Sequence, residues 1–209
     1  MRNNEHHADA DTGHEGRVLD MARQVGIVTP SDLTKHGIPR AYLGRMAKRG
    51  LLLKLGRGLY ALPETDFGEH VTLVAACRAV PGGVVCLLSA LRFHEMTTEN
   101  PFEVWMAIDR KARRPKVEGV PLRIVRFSPA GLSFGVEVHV VEQVPVHVTN
   151  PTRTVVDCFK YRNKVGLDVA LAALRTHRER RLGGVDDLWE AARRVRVSTV
   201  IRPYLEAIS

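Results

Sequence analysis

Five cationic side chains, Arg40, Arg45, Lys48, Arg49 and Arg57, fall within eighteen consecutive residues of a 209-residue chain. Arginine offers a planar fork that matches guanine edges and phosphate oxygens, and lysine offers a point charge, so this spacing suits the grip of a polyanion. Thr29 and Ser31 add hydroxyls at a helix start, where backbone N–H groups point at an anion, and Lys35 and Tyr42 lie between. Reaction chemistry is less well served. Ser89 and His94 stand five apart on one helical run and do not face each other, as a nucleophile and its base must. Glu103, Asp109 and Glu118 raise a metal-dependent nuclease, but Glu137-Val138-His139 lacks the lysine that a carboxylate-lysine strand would carry. Gly82-Gly83 and Gly183-Gly184 lack the Lys-Ser/Thr of a phosphate loop. Cys77, Cys86 and Cys158 are widely spaced within apolar runs, which suits buried small hydrophobes better than a zinc site. The sequence therefore predicts binding without catalysis, with no metal and no cofactor.

The elements that must position the cations read as a compact series. Residues 17–26 are apolar at 18, 19, 21, 22 and 25, which is helical spacing, and Gly26 is the expected stop. Thr29-Pro30-Ser31-Asp32-Leu33 opens a second, short helix with a Thr cap, Pro in the first turn and Asp near the positive end. Gly37 breaks it. Ile38-Pro39 restarts a third helix with Leu43, Met46 and Ala47 on its core face, leaving Arg40, Gly44, Arg45 and Lys48 outward, until Gly50. Leu51 to Leu55, Gly56-Arg57-Gly58 and Leu59 to Pro63 follow as strand, tight turn and strand. Helix, short helix, turn, helix and hairpin is the order of a winged helix-turn-helix. In that arrangement Arg40 and Arg45 reach base edges in a major groove, Lys48 and Arg49 reach phosphates, and Tyr42 divides its ring between core and phosphate. Arg57, between two glycines at the hairpin tip, can enter a minor groove.

Charge is distributed accordingly. The formal balance is +8 overall, made of −3 over residues 1–16, +7 over 17–63 and +4 over 64–209. A positive excess concentrated on one small module is the electrostatic footprint of a nucleic-acid partner. Residues 1–16 are polar, contain His6, His7 and His14, and have no apolar face, so they are expected to be a disordered tail. No signal peptide or long apolar span is evident, which predicts a cytoplasmic protein with no membrane partner.

Past Pro63 the pattern changes, giving a boundary at about 63–68 and domains at 17–66 and 67–209. Residues 69–80 and 84–95 read as helices, 103–108 and 121–127 as strands, and 136–141 and 144–149 as strands pairing around Glu142-Gln143. Helices at 151–161, 167–181, 185–195 and 198–207 close the chain. The fold class is α+β: an N-terminal winged helix-turn-helix, then a mixed α+β domain with a small central sheet and C-terminal helices. A second basic patch gathers Arg110, Lys111, Arg113, Arg114 and Lys116 in the loop between two strands, joined by Arg123 and Arg126 on one strand face. It could meet phosphates, RNA or an acidic partner surface. Arg175, His177, Arg178, Arg180 and Arg181 are read as compensation of a helix dipole. Arg153 and Asp157, four apart on a helix capped by Asn150 and begun by Pro151, are expected to pair and lock that helix to the sheet.

Three stretches, in order, resemble the AbiEi family of antitoxins. Thr29 to Leu33, Arg45 to Leu52 and Gly56 to Tyr60 resemble the family's N-terminal domain. Leu88-Ser89-Ala90-Leu91-Arg92-Phe93-His94-Glu95-Met96 is similar to its "SAL…H" helix, and Asn150-Pro151-Thr152-Arg153-Thr154-Val155-Val156-Asp157-Cys158 to its later Pro-x-Arg-Thr helix start. The resemblance implies a type IV toxin–antitoxin antitoxin. Such a protein represses its own operon on double-stranded operator DNA and counteracts a nucleotidyltransferase toxin without needing a stable complex. No coiled coil or dimer helix is visible, so binding to DNA repeats as separate monomers is expected. The alternative is a winged-helix transcriptional regulator outside any toxin–antitoxin pair, whose C-terminal domain binds a ligand or partner. An adjacent nucleotidyltransferase gene separates the two.

Overall fold

The chain begins as helix α1 (Glu5–Val25) in a computed structural model that describes residues 5–65, 70–115, 117 and 120–207, with backbone alone for 5–12. The expected tail through Gly16 is thus corrected from Glu5 onward, residues 1–4 lying outside the described residues. Composition offers no local reason for order there, but at its C-terminal end, residues 14 and 15, tertiary contacts do. Glu15 pairs with Arg49, and the His14 ring meets Tyr42 edge-on at 5.2 Å. Two compact units are drawn from segments within Met1–Pro81, Lys116–Val120 and Val140–Pro145, and within Gly82–Pro115, Pro121–His139 and Val146–Ser209.

In the first unit α1 is followed by β1 (Ile27–Val28), α2 (Pro30–Lys35) and α3 (Ala41–Lys48). A hairpin of β2 (Leu53–Gly56) and β3 (Leu59–Ala61) comes next, then α4 (Val71–Ala79). Gly26 ends α1 at φ +68, and a Cβ there would collide with the Glu142 carbonyl, so the turn and the close approach both require glycine. The anticipated cap of α2 is present as a capping box, with Thr29 and Asp32 bonding each other's backbone N–H. Strand β1 has no sequence signal of its own, being two residues long. It pairs antiparallel to β3, Ile27 opposite Ala61, in a sheet of order β1-β3-β2. Val18, Met21, Ala22, Leu33, Leu43, Met46 and Leu52 form the core beneath it.

This unit runs past the expected boundary at residue 66. The reason is Arg78, whose Nε donates to the Ile27 carbonyl at 2.7 Å and whose Nη2 pairs with the Asp32 carboxylate at 2.7 Å. Helix α4 is thereby tied to β1 and to the cap of α2.

The second unit has a five-stranded sheet of order β6-β5-β4-β8-β7. Its strands are β4 (Val84–Val85), β5 (Val104–Asp109), β6 (Leu122–Phe127), β7 (Val136–Val141) and β8 (Val144–Thr149). Pairing is antiparallel for β4 with β5 and parallel for β4 with β8 and β5 with β6. The single helix expected over 84–95 is corrected: Val84–Val85 is the central strand, and only Leu87–Phe93 forms helix α5. Cys86 is extended and donates its N–H to the Trp105 carbonyl, and Leu87 turns the chain at φ +51. An all-apolar run buried on both faces cannot be told from a buried helix by periodicity. Strands β7 and β8 turn at Glu142 and Gln143, both at positive φ as a two-residue hairpin requires.

Helices α7 (Pro151–Lys160), α9 (Leu167–Glu179), α10 (Val185–Arg194) and α11 (Ser198–Glu206) match the four expected, with short helices α6 (Pro129–Ser133) and α8 (Arg162–Val165) added. Val155, Val156 and Phe159 of α7 are fully buried among Leu87, Leu91, Leu174, Leu188 and Ile201. The α+β class read from the sequence is the observed one.

Candidate nucleic-acid interface

Helix α3 shows its two faces plainly. Tyr42, Leu43 and Met46 are buried, while Ala41, Gly44, Arg45, Lys48 and Arg49 are exposed at the i, i+3, i+4, i+7 and i+8 positions of a single stripe. The three cations thus share a face because the other face fills the core. Arg40 precedes the helix, exposed, with its Nε donating to the Thr34 hydroxyl at 3.2 Å. Arg45 lies over the Tyr42 ring at 4.2 Å, a cation–π contact that holds the guanidinium against the helix. Tyr42 is 6% exposed, so its ring serves the core and the Arg45 platform, and the expected phosphate half of its role is corrected. Lys48 has no hydrogen-bond or ion-pair partner among the described residues. Arg49 is engaged by Glu15, a carboxylate contributed by the segment expected to be a free tail.

Around α3, Lys35 is exposed in the last turn of α2, and Arg57 is exposed at the hairpin tip. Ser31 is exposed in the first turn of α2. Thr29 is differently placed. Its hydroxyl and its backbone N–H both donate to the Asp32 carboxylate, at 2.7 and 2.9 Å. That carboxylate already fills the anion position at the helix start, so the expected phosphate site at Thr29 is corrected to a cap that Arg78 completes. Sequence reasoning missed Arg17, whose Nη2 donates to the His36 carbonyl at 2.9 Å and braces the turn between α2 and α3. Partners that far apart in the chain leave no local signal.

The second basic patch does not form the single face expected of it. Arg123 and Arg126 are an odd number of residues apart on β6, so the pleat sends them to opposite faces. Arg123 lies over the Trp105 ring at 5.2 Å and 3.5 Å from a Glu103 carboxylate oxygen. The Arg126 Nη1 donates to the carbonyls of Asp109 and Ala112, bracing the loop that carries the exposed Arg110, Lys111, Arg113 and Arg114. Lys116 lies outside the described residues.

The remaining reactive residues are occupied structurally. The Ser89 hydroxyl accepts the Trp105 N–H at 2.9 Å, and His94 Nε2 bonds the Thr149 carbonyl at 2.8 Å, so the two ends of the Ser-Ala-Leu helix clamp β5 and β8. Arg180, read as compensation of its own helix, donates instead to the carbonyls of His94 and Glu95 at 2.9 Å each. Arg153 and Asp157 pair at 2.9 Å with 3% and 1% of their side chains exposed, and Arg153 Nη1 also donates to the Phe134 carbonyl. Burial raises the Asp157 carboxyl above the ordinary carboxylate range, opposed by the Arg153 charge. Its Oδ1 has no partner among the described residues. All three cysteines are buried free thiols, with Cys77 pushed up to about 12 by burial. Among the described residues no three His, Cys, Asp or Glu side chains are grouped as metal ligands, and no helix is long and apolar enough to cross a membrane.

The fold resembles a solved one. The structure titled "Crystal structure of RV2827C protein from Mycobacterium tuberculosis" superposes with a TM-score of 0.58 at 15% identity, covering 86% of this chain and 71% of that one. At that identity the likeness speaks to fold alone. No curated protein matches the sequence. Residues 17–63, from within α1 to just beyond β3, match the family described as "Transcriptional regulator, AbiEi antitoxin". Those residues carry every cation of the α3 face and the hairpin tip, and over them the chain is similar to the AbiEi antitoxin family of transcriptional regulators.

Proposed function

We propose that the protein is a DNA-binding antitoxin that represses its own operon and counteracts a nucleotidyltransferase-type toxin. The observation that carries the DNA part is the exposed stripe Arg45, Lys48 and Arg49 on α3, flanked by Arg40 and Arg57, on a unit whose other faces supply the core. In a winged-helix reading α3 is the recognition helix. Arg40 and Arg45 near its start contact guanine edges, Lys48 holds a phosphate, and the β2–β3 hairpin is the wing that carries Arg57 to the minor groove. Glu15 competes with phosphate for Arg49, which makes that residue a weaker DNA contact than Lys48. The antitoxic part rests on the family match at residues 17–63 and on the second unit.

Two measurements test this. A mobility-shift titration with the chain's own promoter region should show binding that a scrambled duplex does not match; equal binding to both would reduce the reading to a non-specific basic protein. Inducible co-expression with the adjacent gene should show toxicity relieved by the intact chain. A harmless neighbour would leave a winged-helix regulator whose second unit answers to a ligand.

A further inference from the structure

Within the second unit, a recess of about 620 Å³ opens where β6, α6, α7 and α10 come together. Five of its lining side chains are cationic, Arg110, Arg126, Arg153, Lys160 and Arg194, and none is acidic. Two of the five are neutralised from behind: Arg153 by Asp157, and Arg194 by Glu190 at 2.8 Å. Arg126 spends its bonds on neutral carbonyls. Arg110 and Lys160 have no side-chain hydrogen bond or ion pair among the described residues, and Lys160 feels an opposite charge only in Asp157, which Arg153 already holds. Against the carboxylates of Asp157 and Glu190, the five cations leave a net excess of three positive charges around the recess, where each raises the electrostatic cost of the others until an anion enters.

Arg153 is the fixed point of the set. It is 97% buried yet lines the recess, its guanidinium held 5.2 Å from the Phe127 ring and 5.3 Å from the Phe134 ring. Nε and Nη1 are committed to Asp157 and to the Phe134 carbonyl, which leaves the Nη2 edge as the one turned to the recess. A buried, aromatic-clamped guanidinium has already lost its side-chain freedom, so an anion meets it without an ordering cost. Arg194, stacked on the outer side of the Phe134 ring at 4.7 Å, is similarly placed. A recess of this volume is in the range that encloses a small molecule. A single carboxylate would leave most of the charge unanswered.

We propose that this recess binds a small ligand bearing a di- or triphosphate, of nucleotide size. The phosphates sit against Arg153, Arg110 and Lys160, with the Phe127 and Phe134 rings forming the apolar part of the wall. The inference does not depend on the DNA reading, because every residue involved lies in the second unit.

Isothermal titration calorimetry of the intact chain, with ATP and separately with inorganic tripolyphosphate, tests it. Arg110→Gln and Lys160→Gln are both exposed substitutions that leave the core untouched. Each should weaken the affinity by about tenfold or more, as loss of one charge-assisted bond implies. Lys54→Gln, the same loss of charge in the first unit, should leave it unchanged. ATP binding more tightly than tripolyphosphate would show that the recess reads the nucleoside; equal affinity would show that it reads phosphate alone. The proposal is overturned if neither probe binds, or if Lys54→Gln weakens binding as much as the recess variants do. It is also overturned if a 5′-phosphorylated single-stranded oligonucleotide binds where both small probes fail, since the recess would then be part of a nucleic-acid surface.

Discussion

Arg45 and Lys48 share a helix face but have different surroundings, and their variants should separate accordingly. Arg45 is stacked on Tyr42; Lys48, without a hydrogen-bond or ion-pair partner among the described residues, is free to follow a phosphate. Arg40→Ala and Arg45→Ala should each cost about 1–3 kcal/mol on operator DNA and relax sequence preference, whereas Lys48→Ala should weaken all duplexes alike. Fluorescence anisotropy on operator and scrambled duplexes checks this, and unaltered operator binding by both arginine variants would move the recognition surface elsewhere. In the second unit, Arg153→Met should strip Asp157 of its partner and cost about 3–5 kcal/mol in urea unfolding, with Arg153→Met/Asp157→Leu recovering much of the loss. His94 supplies a pH prediction. Burial holds its imidazole below the ordinary 6.5, against the opposing pull of the Thr149 carbonyl and the Glu137 charge, and burial acts the same way on His177. The unfolded chain takes up protons near pH 6.5 while the folded one stays neutral, so this stability is present above 6.5 and drains as pH falls through it toward the folded value. The melting temperature should fall between about pH 7 and about pH 5, and fall less in His94→Gln. An equal fall in that variant would acquit His94.

At the scale of elements, local chemistry placed most boundaries and long-range pairing moved the rest. Thr29, Pro30 and Asp32 specify the start of α2, and Asn150 and Pro151 that of α7, because a cap needs only neighbours. Val84 and Val85 carry no such mark; they are a strand because β5 and β8 flank them. Tyr42 was only half legible, since a tyrosine beside a core face can point either way until α1 covers it. Gly135 shows an element junction in which a side chain is forbidden. It sits at φ +59 where a Cβ would lie 2.9 Å from the Arg153 Cβ, and its carbonyl accepts the Asn150 N–H at 2.8 Å. Gly135→Ala should destabilise by at least the ~1–2 kcal/mol of a left-handed non-glycine residue, read as a lower urea midpoint. A variant as stable as the wild type would mean that the β7 entry repacks freely.

Over the whole molecule, charge is the property with the longest reach. With +7 of the net +8 carried by residues 17–63, operator affinity of the intact chain should fall steeply with salt. The log–log slope should be near −0.9 per phosphate neutralised, and Lys48→Ala should reduce it by about 1. A salt-independent affinity would remove the electrostatic account altogether. The chain by itself determined the helix order of the first unit, its caps, its hairpin, the basic face of α3, the buried Arg153–Asp157 pair and the α+β class. Each of these follows from periodicity of 3.6 or 2, from capping chemistry, or from charges a few residues apart. Tertiary structure alone decided that Glu15 of α1 pairs with Arg49, that Arg78 ties α4 to β1 and to the cap of α2, and that Val84–Val85 is a central strand. It also brought Arg110, Arg153, Lys160 and Arg194 to one recess. Those outcomes depend on partners tens of residues away, and closing such loops is favourable only once a shared core holds both ends.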